Sequence, residues 1–303
     1  MHYDAIIIGG SFAGLSAATQ LARARRKVLV IDAGEPRNRF AEHAHGFLAQ
    51  DGEAPRAILD RARRQLAAYP TAKMVHGRAA RTEKAASGFE VAVSGGEKFV
   101  ASRLIIATGI TDELPDIPGL AERWGTTVVH CPYCHGYEIA GGALGVLGTT
   151  SISVHQALVV ADWGTVTLFC DGIFRPDAEE TEQLRQRGVA VEAVPLTGLE
   201  DGEAGAVSAR LADGTQKQMR GLFVAPRSRM AGPTAGQLGC VMTDGMLGPL
   251  IKVDDMQQTS VTGCYAAGDA AQAWQSIPFA VSSGAFAGVA AHQSLMFGLT
   301  TQK

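Results

Sequence analysis

Short apolar runs alternate with glycine turns and helical patterns along the chain. Residues 4–8 (Asp-Ala-Ile-Ile-Ile) predict a strand, which is followed by the turn Gly9–Gly14 and by a helical pattern that begins at Leu15. Residues 27–31 (Lys-Val-Leu-Val-Ile) predict a second strand that ends at Asp32. A strand, a glycine turn, a helix and a second strand ending in an acid are typical of a dinucleotide-binding unit.

Each part of this unit has a physical role in binding a nucleotide. Glycines let the backbone approach a pyrophosphate, and the helix N-terminus offers N–H groups and a positive dipole end to it. Asp32 is placed to accept hydrogen bonds from ribose hydroxyls. Ser11 stands where the usual pattern has its middle glycine, which is a small departure. The alternative is a tight turn without a ligand.

The same pattern recurs in the middle of the chain. Residues 143–147 predict a strand, residues 148–153 form the turn, and residues 165–169 predict the strand before Asp171. The first residue of the turn precedes the acid by 23 positions in both units. The sequence therefore predicts an α/β fold with two Rossmann-like, three-layer nucleotide-binding domains.

The second turn departs from a phosphate-binding loop. Thr150 and Ser153 replace a small residue and a glycine, and the β-branched Thr150 adds bulk where the backbone should meet a pyrophosphate. Asp171 would repel a 2′-phosphate but would suit NADH, and the nearest arginine is Arg175. A retained fold that has lost its ligand is favoured over a working NAD(P) site.

Composition narrows the classes of function. The chain has 303 residues, a net charge of −3 and 19% charged residues, which gives no reason to expect nucleic acid as a partner. No basic segment precedes the first apolar run, so a signal peptide is not predicted. Residues 270–302 carry no charge, but polar residues interrupt them, which favours a buried helix beside a large cofactor over a membrane span. A cytoplasmic protein without a membrane partner is predicted.

Two of the five cysteines lie close together, in residues 131–138 (CPYCHGYE). Cys131 and Cys134 are compatible with half of a metal site, a structural bridge or a redox pair. No second pair of this spacing and no histidine cluster completes four zinc ligands, so no metal is predicted. An odd cysteine count without a signal peptide argues against a secreted disulfide scaffold and favours reactive thiols.

Two further segments complete a family pattern. Ala107-Thr108-Gly109 follows an apolar run, and Ala267-Gly268-Asp269 ends a later strand-like segment. With the first glycine turn and the cysteine pair, their order and spacing resemble the low-molecular-weight thioredoxin reductases over nearly the whole chain. The resemblance implies an FAD-binding domain (residues 1–115 and 243–303) that is split in sequence by an NAD(P)-type domain carrying the cysteines (residues 116–242).

The resemblance also implies which residues bind FAD. They lie in the first glycine turn, at the ends of strands and at the start of the last helix. They are Gly9, Ser11, Phe12, Ala13, Gly14, Asp32, Ala33, His45, Ala107, Thr108, Gly109, Gly268, Asp269, Phe279 and Ala280. His43 and His45 are candidates for the flavin site or the substrate cleft, with a surface loop as the alternative. Trp274 and Phe279 are candidates for an apolar substrate pocket, with the core as the alternative.

Three departures from the thioredoxin reductases point to a particular branch. His135 stands where they carry an aspartate, residues 170–172 replace a basic cluster, and Ile277-Pro278 replaces Arg-Gln. The CxxCH motif resembles that of the FAD-dependent dithiol oxidases that close disulfides in natural products such as gliotoxin and holomycin. Members of that branch pass electrons from flavin to oxygen without a nicotinamide.

The resemblance implies that Cys131 exchanges with substrate and that Cys134 faces the flavin. His135 is a candidate base for substrate thiols, although a local structural role is the alternative. The expected function is therefore FAD-dependent oxidation of a small-molecule or peptide dithiol by a homodimer. The rivals are an NAD(P)H-dependent disulfide reductase and a flavin redox sensor.

Overall fold

The computed structural model describes residues 2–170, 172 and 174–298. The chain divides into two compact units. The first unit comprises Met1–Arg39, Pro55–Thr111 and Ser228–Lys303, and the second comprises Phe40–Ala54 and Asp112–Arg227. The predicted Asp171 lies outside the described residues.

The strands and helices are numbered along the chain. The strands are β1 (His2–Ile8), β2 (Val28–Asp32), β3 (Ala72–His76), β4 (Ala79–Ala85), β5 (Gly88–Val93), β6 (Lys98–Ile106), β7 (Ile110–Glu113), β8 (Val128–Val129), β9 (Ala143–Leu147), β10 (Thr165–Phe169), β11 (Ala190–Glu192), β12 (Leu196–Asp201), β13 (Val207–Leu211), β14 (Gln216–Met219), β15 (Gly221–Val224), β16 (Arg227–Met230), β17 (Met242–Asp244), β18 (Pro249–Ile251) and β19 (Cys264–Ala266). The α-helices are α1 (Phe12–Arg23), α2 (Pro55–Ala67), α3 (Pro132–His135), α4 (Ile152–Val160), α5 (Ala178–Gln186), α6 (Thr234–Leu238) and α7 (Ile277–Phe297). Single 3-10 turns lie at Arg37–Phe40, Ala121–Arg123, Glu203–Gly205 and Gly268–Ala270.

The first unit is built on a seven-stranded sheet. Its order is β3-β2-β1-β6-β5-β4, and β19 also pairs with β6. The pairs β1–β2, β1–β6, β2–β3 and β6–β19 are parallel, whereas β4 and β5 form an antiparallel extension. Ala5, Ile6 and Ile7 are fully buried, as a continuous apolar run requires at the centre of a parallel sheet.

Helices α1 and α7 pack closely in this unit because small residues line their contact. A Cβ atom added to Gly288 would lie 2.6 Å from the carbonyl oxygen of Ala17, and one added to Gly284 would overlap the Ala13 carbonyl. The prediction of a buried helix in residues 270–302 is only half right. One face of α7 packs inward, whereas the side chains of Phe286 and Phe297 are exposed.

The second unit repeats the parallel architecture on a smaller scale. Its five-stranded sheet has the order β11-β10-β9-β15-β8, with every pair parallel. An antiparallel sheet, β12-β13-β14, lies in the same unit. The predicted strands at 143–147 and 165–169 coincide with β9 and β10. The predicted fold class, α/β with two Rossmann-like units, is confirmed.

The observed division differs from the predicted boundaries at three places. The chain enters the second unit within β7 and returns within β16, not near residue 242. Helix α6 packs on β4 in the first unit, where Gln237 accepts from the Thr82 N–H at 2.8 Å and donates to the Ala80 carbonyl at 2.9 Å. Residues 40–54 join the second unit although they precede it in sequence by some 60 positions.

Among the described residues, no helix is both long enough and apolar enough to cross a membrane.

Candidate active site

Four parallel strands of the first unit end at one edge of its sheet. Ile8 lies beside Ile31 and Ile106, and Ile106 lies beside Ala266. The segments that follow these strands therefore meet, because the carboxyl ends of parallel strands share an edge. This topology brings together most of the predicted FAD residues: the first glycine turn, Asp32 with Ala33, residues 107–109 and Gly268 with Asp269.

The first glycine turn is packed backbone against backbone. Gly9 has a φ of +104°, and a Cβ atom there would overlap the Ala107 carbonyl. A Cβ atom on Gly14 would overlap the Gly9 carbonyl. No side chain caps the N-terminus of α1. The first-turn N–H groups of this 12-residue helix are therefore left to a ligand or solvent, as a pyrophosphate site needs.

Asp32 makes two contacts that the motif does not foretell. Its Oδ1 accepts from the Gly10 N–H at 3.0 Å, and its Oδ2 pairs with Nη2 of Arg63 at 3.2 Å. The carboxylate thus closes the turn as well as facing the edge where a ribose would lie. Arg63 comes from α2, and nothing in the sequence pattern links it to Asp32.

Asp269 is held by a second arginine that the sequence reading missed. Arg37 Nη1 lies 3.1 Å from Asp269 Oδ2 and donates to Oε1 of Gln275 at 2.6 Å. Gly268 has a φ of +70°, and its N–H donates to the hydroxyl of Ser283 at 2.9 Å. These contacts orient Gly268 and Asp269, which precede α7.

The start of α7 supplies the last two predicted FAD residues. Ala280 lies beside Gly268, since a Cβ atom added to the glycine would be 3.9 Å from the Ala280 Cβ. Phe279 is 49% exposed and Trp274 is 66% exposed, so the alternative that placed these aromatic residues in the core is wrong. The carboxyl edge of the first sheet thus combines the uncapped N-terminus of α1, the carboxylates of Asp32 and Asp269, and closely packed glycines. These features fit FAD.

The cysteine pair lies in the second unit and is closed as a disulfide. Cys131 is the N-cap residue of α3, Pro132 occupies the first helical turn as predicted, and the Cα atoms of Cys131 and Cys134 are 5.2 Å apart. The other three cysteines are buried free thiols. Within the described part of the chain, no group of three or more His, Cys, Asp or Glu side chains is placed to hold a metal ion.

Gly136 keeps this turn tight against a tryptophan. A Cβ atom there would lie 2.6 Å from the Pro132 carbonyl oxygen and 2.7 Å from the ring of Trp163. Tyr133 meets the same ring edge-on, with centroids 5.8 Å apart. The short helix is therefore anchored by Trp163, a residue that the sequence reading did not single out.

His135 ends α3 and is half-buried. Burial lowers the pKa of its imidazole below the ordinary value, the carboxylate of Glu138 raises it, and His45 lowers it. Burial is the largest of these effects, so the imidazole is mainly neutral near neutral pH. A neutral imidazole is able to accept a proton, as the predicted base role requires.

His45 was predicted to bind FAD, but the structure groups it with the cysteine turn. It belongs to the second unit, where its Nδ1 lies 3.4 Å from Oε1 of Glu138 and 3.6 Å from Oδ1 of Asp51. The other predicted FAD residues all belong to the first unit. A cavity of about 270 Å³ is lined by His45, Gly46, Asp51, Tyr133, Tyr137 and Glu138.

The second glycine turn satisfies its own backbone. The hydroxyl of Ser153, which is fully buried, accepts from the N–H of Thr149 at 3.0 Å and from that of Thr150 at 3.5 Å. The Thr149 hydroxyl donates to the Ala225 carbonyl at 3.1 Å. The N–H groups of Thr149 and Thr150 therefore have an acceptor within their own turn.

Comparisons with known proteins agree with this geometry. Residues 3–284 match the family model described as pyridine nucleotide-disulphide oxidoreductase. Thioredoxin reductase sirT of Leptosphaeria maculans is 32% identical over 305 residues, covering 94% of this chain and 92% of that protein. Thioredoxin reductase tcpT of Claviceps purpurea is 34% identical over 315 residues, covering 99% and 96%.

Two solved structures share the fold over nearly their whole length. An oxidoreductase from Agrobacterium tumefaciens has a TM-score of 0.93 and 48% identity, covering 98% of this chain and 99% of that one. The crystal structure of HlmI has a TM-score of 0.89 and 36% identity, covering 97% and 92%. With a family model that spans most of its length and relatives above 30% identity, the chain belongs to the pyridine nucleotide-disulphide oxidoreductase family.

Proposed function

We propose that this enzyme is an FAD-dependent dithiol oxidase. It takes two electrons from a small-molecule or peptide dithiol, leaves the substrate as a disulfide, and delivers the electrons to oxygen without a nicotinamide. The observation that carries the proposal is the hydrogen bonding of Ser153 in the second glycine turn. Family membership and the fit of the first turn support FAD as the cofactor.

The Ser153 hydroxyl opposes nicotinamide binding for an energetic reason. A phosphate that bound the N–H groups of Thr149 and Thr150 would have to displace the hydroxyl, which would then keep only the Thr149 hydroxyl, 3.3 Å away. Each hydrogen bond lost in this way costs about 1 kcal/mol. This cost would weaken the binding of NADH or NADPH. It therefore favours thiols over nicotinamides as the electron donor.

The exchange begins at the disulfide of the second unit. One substrate thiolate attacks Sγ of Cys131, which forms a mixed disulfide and releases Cys134 as a thiolate. The second substrate thiolate attacks the substrate sulfur of that mixed disulfide, which closes the substrate disulfide and releases Cys131. Two substrate thiols have become a disulfide, and the Cys131–Cys134 pair holds the two electrons.

His135 serves the proton transfers of this exchange. Substrate thiols have an ordinary pKa of about 8.5 and must lose a proton before they attack. The half-buried, mainly neutral imidazole accepts that proton and later returns it to solvent. When bound, FAD supplies a two-electron acceptor that oxygen reoxidises to yield peroxide.

Anaerobic stopped-flow spectroscopy of the holoenzyme tests the proposal. A dithiol such as dithiothreitol should bleach the oxidised-flavin band rapidly, and air should restore the band with formation of peroxide. NADPH and NADH should bleach it slowly or not at all. Rapid bleaching by either nicotinamide overturns the proposal and establishes the second candidate function, an NAD(P)H-dependent disulfide reductase, which the names of the curated relatives favour.

Cys134→Ser tests the assignment of the disulfide. This variant cannot form the Cys131–Cys134 bond, so we expect it to retain flavin but to lose bleaching by dithiols altogether. Cys170→Ala is the matched control, because it removes a buried thiol outside the pair in the same unit. Undiminished turnover in Cys134→Ser would show that electrons do not pass through this disulfide.

A further inference from the structure

A loop of the second unit carries His45 to the cysteine turn. Residues 40–54 fold back on themselves, since the N–H of Ala44 donates to the Glu53 carbonyl at 2.8 Å and the N–H of Gly52 donates to the Ala44 carbonyl at 2.9 Å. Asp51 accepts from the Gly46 N–H at 2.8 Å. The loop is therefore braced on both sides of His45, whose side chain is only 20% exposed.

Glu138 lies next to His45 and near His135. It follows His135 by three residues, and the N–H of Ile139 donates to the His135 carbonyl at 3.3 Å, so the chain still turns as a helix does. Positions three apart face the same side of such a turn. The carboxylate of Glu138 thus interacts with the imidazole of its own turn and, at 3.4 Å, with Nδ1 of His45.

We propose that Glu138 and His45 are positioning residues that act on His135 with opposite electrostatic sign. The Glu138 carboxylate favours a proton on the His135 imidazole, and His45 opposes this by pairing with that carboxylate at 3.4 Å. The inference rests on the proposed function, because it takes His135 as the group that accepts the substrate proton. Nothing in the CxxCH motif assigns a role to the loop that carries His45.

The side chains around His135 determine whether its pKa is raised or lowered. The titratable side chains that act on it are Glu138 and His45, and their effects on its pKa are in opposite directions. Asp51 faces His45 from the loop, with its Oδ1 3.6 Å from Nδ1 of His45. The His43 ring is tilted by 50° to the His45 ring, with centroids 6.3 Å apart, and its Nδ1 contacts the Gly52 carbonyl oxygen at 3.0 Å.

Substitutions of Glu138 and His45 should therefore shift the pH dependence of activity in opposite directions. In Glu138→Gln the pKa of His135 falls, so the rise of activity with pH moves to lower pH, and the plateau falls because the base is weaker. In His45→Gln the Glu138 carboxylate is left uncompensated, the pKa of His135 rises, and the rise of activity moves to higher pH. Glu138→Asp should restore part of the wild-type profile.

The experiment measures anaerobic bleaching of the holoenzyme's flavin by dithiothreitol across the pH range in which imidazole titrates. The bleaching rate of each variant is divided by the wild-type rate at the same pH, because this ratio cancels the effect of dithiothreitol ionisation. His43→Gln is the matched control and should leave the profile unchanged. Thermal unfolding checks that every variant is folded.

A second readout separates this inference from the proposed function. NMR of ring-labelled histidine follows the His135 imidazole directly, with its resonance identified by its loss in His135→Gln. Opposite shifts of the His135 titration in Glu138→Gln and His45→Gln uphold the positioning pair, even if NADPH proves to be the electron donor. Shifts of the His135 titration in the same direction, or the absence of a shift in one or both variants, overturn it.

Discussion

The glycine turns Gly9–Gly14 and Gly148–Ser153 occupy the same place in two similar units, but different side chains bind their backbone N–H groups. In the first, no side chain caps α1, and two carbonyls lie where Cβ atoms would otherwise stand. In the second, the hydroxyl of Ser153 accepts from two turn N–H groups. Asp32 therefore accepts from the Gly10 N–H in the first turn, whereas in the second turn Ser153 accepts from the equivalent Thr149 N–H and, at 3.5 Å, from that of Thr150 as well.

The difference comes from one position. Gly14 leaves room for the Gly9 carbonyl, and its counterpart Ser153 brings an acceptor into the turn. A Rossmann unit can therefore keep its strands, helix and core while its turn becomes self-sufficient. Similar folding does not imply similar binding, since the fold is held by buried apolar strands and the ligand by turn N–H groups.

The largest effect is expected from Gly14→Ala. The added Cβ would overlap the Gly9 carbonyl, so the turn must shift, at a cost of about 1–3 kcal/mol or more. We expect loss of flavin from the purified protein together with a lower thermal midpoint. The absorbance ratio of flavin to protein and thermal unfolding measure both effects.

Gly236→Ala is the matched control for that substitution. Gly236 lies within α6 and nothing approaches the position of its Cβ within 4 Å. The same change should be neutral there or stabilising by up to about 1 kcal/mol. Full flavin content in Gly14→Ala would show that the first turn is not held as tightly as the comparison requires.

A smaller effect is expected from Ser153→Ala in the second turn. The N–H groups of Thr149 and Thr150 would lose their acceptor, which costs about 1 kcal/mol for half-buried donors. Flavin content should not change. Ser151→Ala is the control, since Ser151 is exposed and makes no capping hydrogen bond. Equal thermal midpoints for the two variants would contradict a self-satisfied turn.

The smallest effect is expected from Arg63→Met, which removes the 3.2 Å pairing with Asp32 but keeps the length of the side chain. A partly exposed ion pair contributes less than about 1 kcal/mol. The Gly10 N–H still holds Asp32, so flavin should be retained. If Arg63→Met lost its flavin as Gly14→Ala is expected to, the arginine would be essential to the first turn.

Local patterns were enough to predict the two units and the cysteine turn. Continuous apolar runs become β1, β9 and β10, the glycine spacing places the turns, and Pro132 begins the short helix after Cys131. Each of these depends on neighbours within about 20 residues, so the sequence order carries the information. The same reasoning misjudged α7, because small residues allow close packing on one face and say nothing about the other.

Contacts between distant segments were not predictable in this way. Arg63 with Asp32, Arg37 with Asp269, and His45 with Glu138 join residues that no periodicity links. A charged side chain has many compatible partners in a sequence, and only the path of the backbone selects one. For the same reason nothing in the sequence indicated that the loop 40–54 joins the second unit.

The amino-acid sequence was sufficient for the fold class, the family pattern and the nature of the chemistry, because strand periodicity, glycine turns and CxxC spacing are local properties. Only the tertiary structure decided three further features. They are the hydrogen bonds of Ser153 in the second turn, the arginines that pair with Asp32 and Asp269, and the side chains that surround His135. Hydrogen bonds and charges act over a few ångströms in space, and those distances exist only when remote segments have packed together.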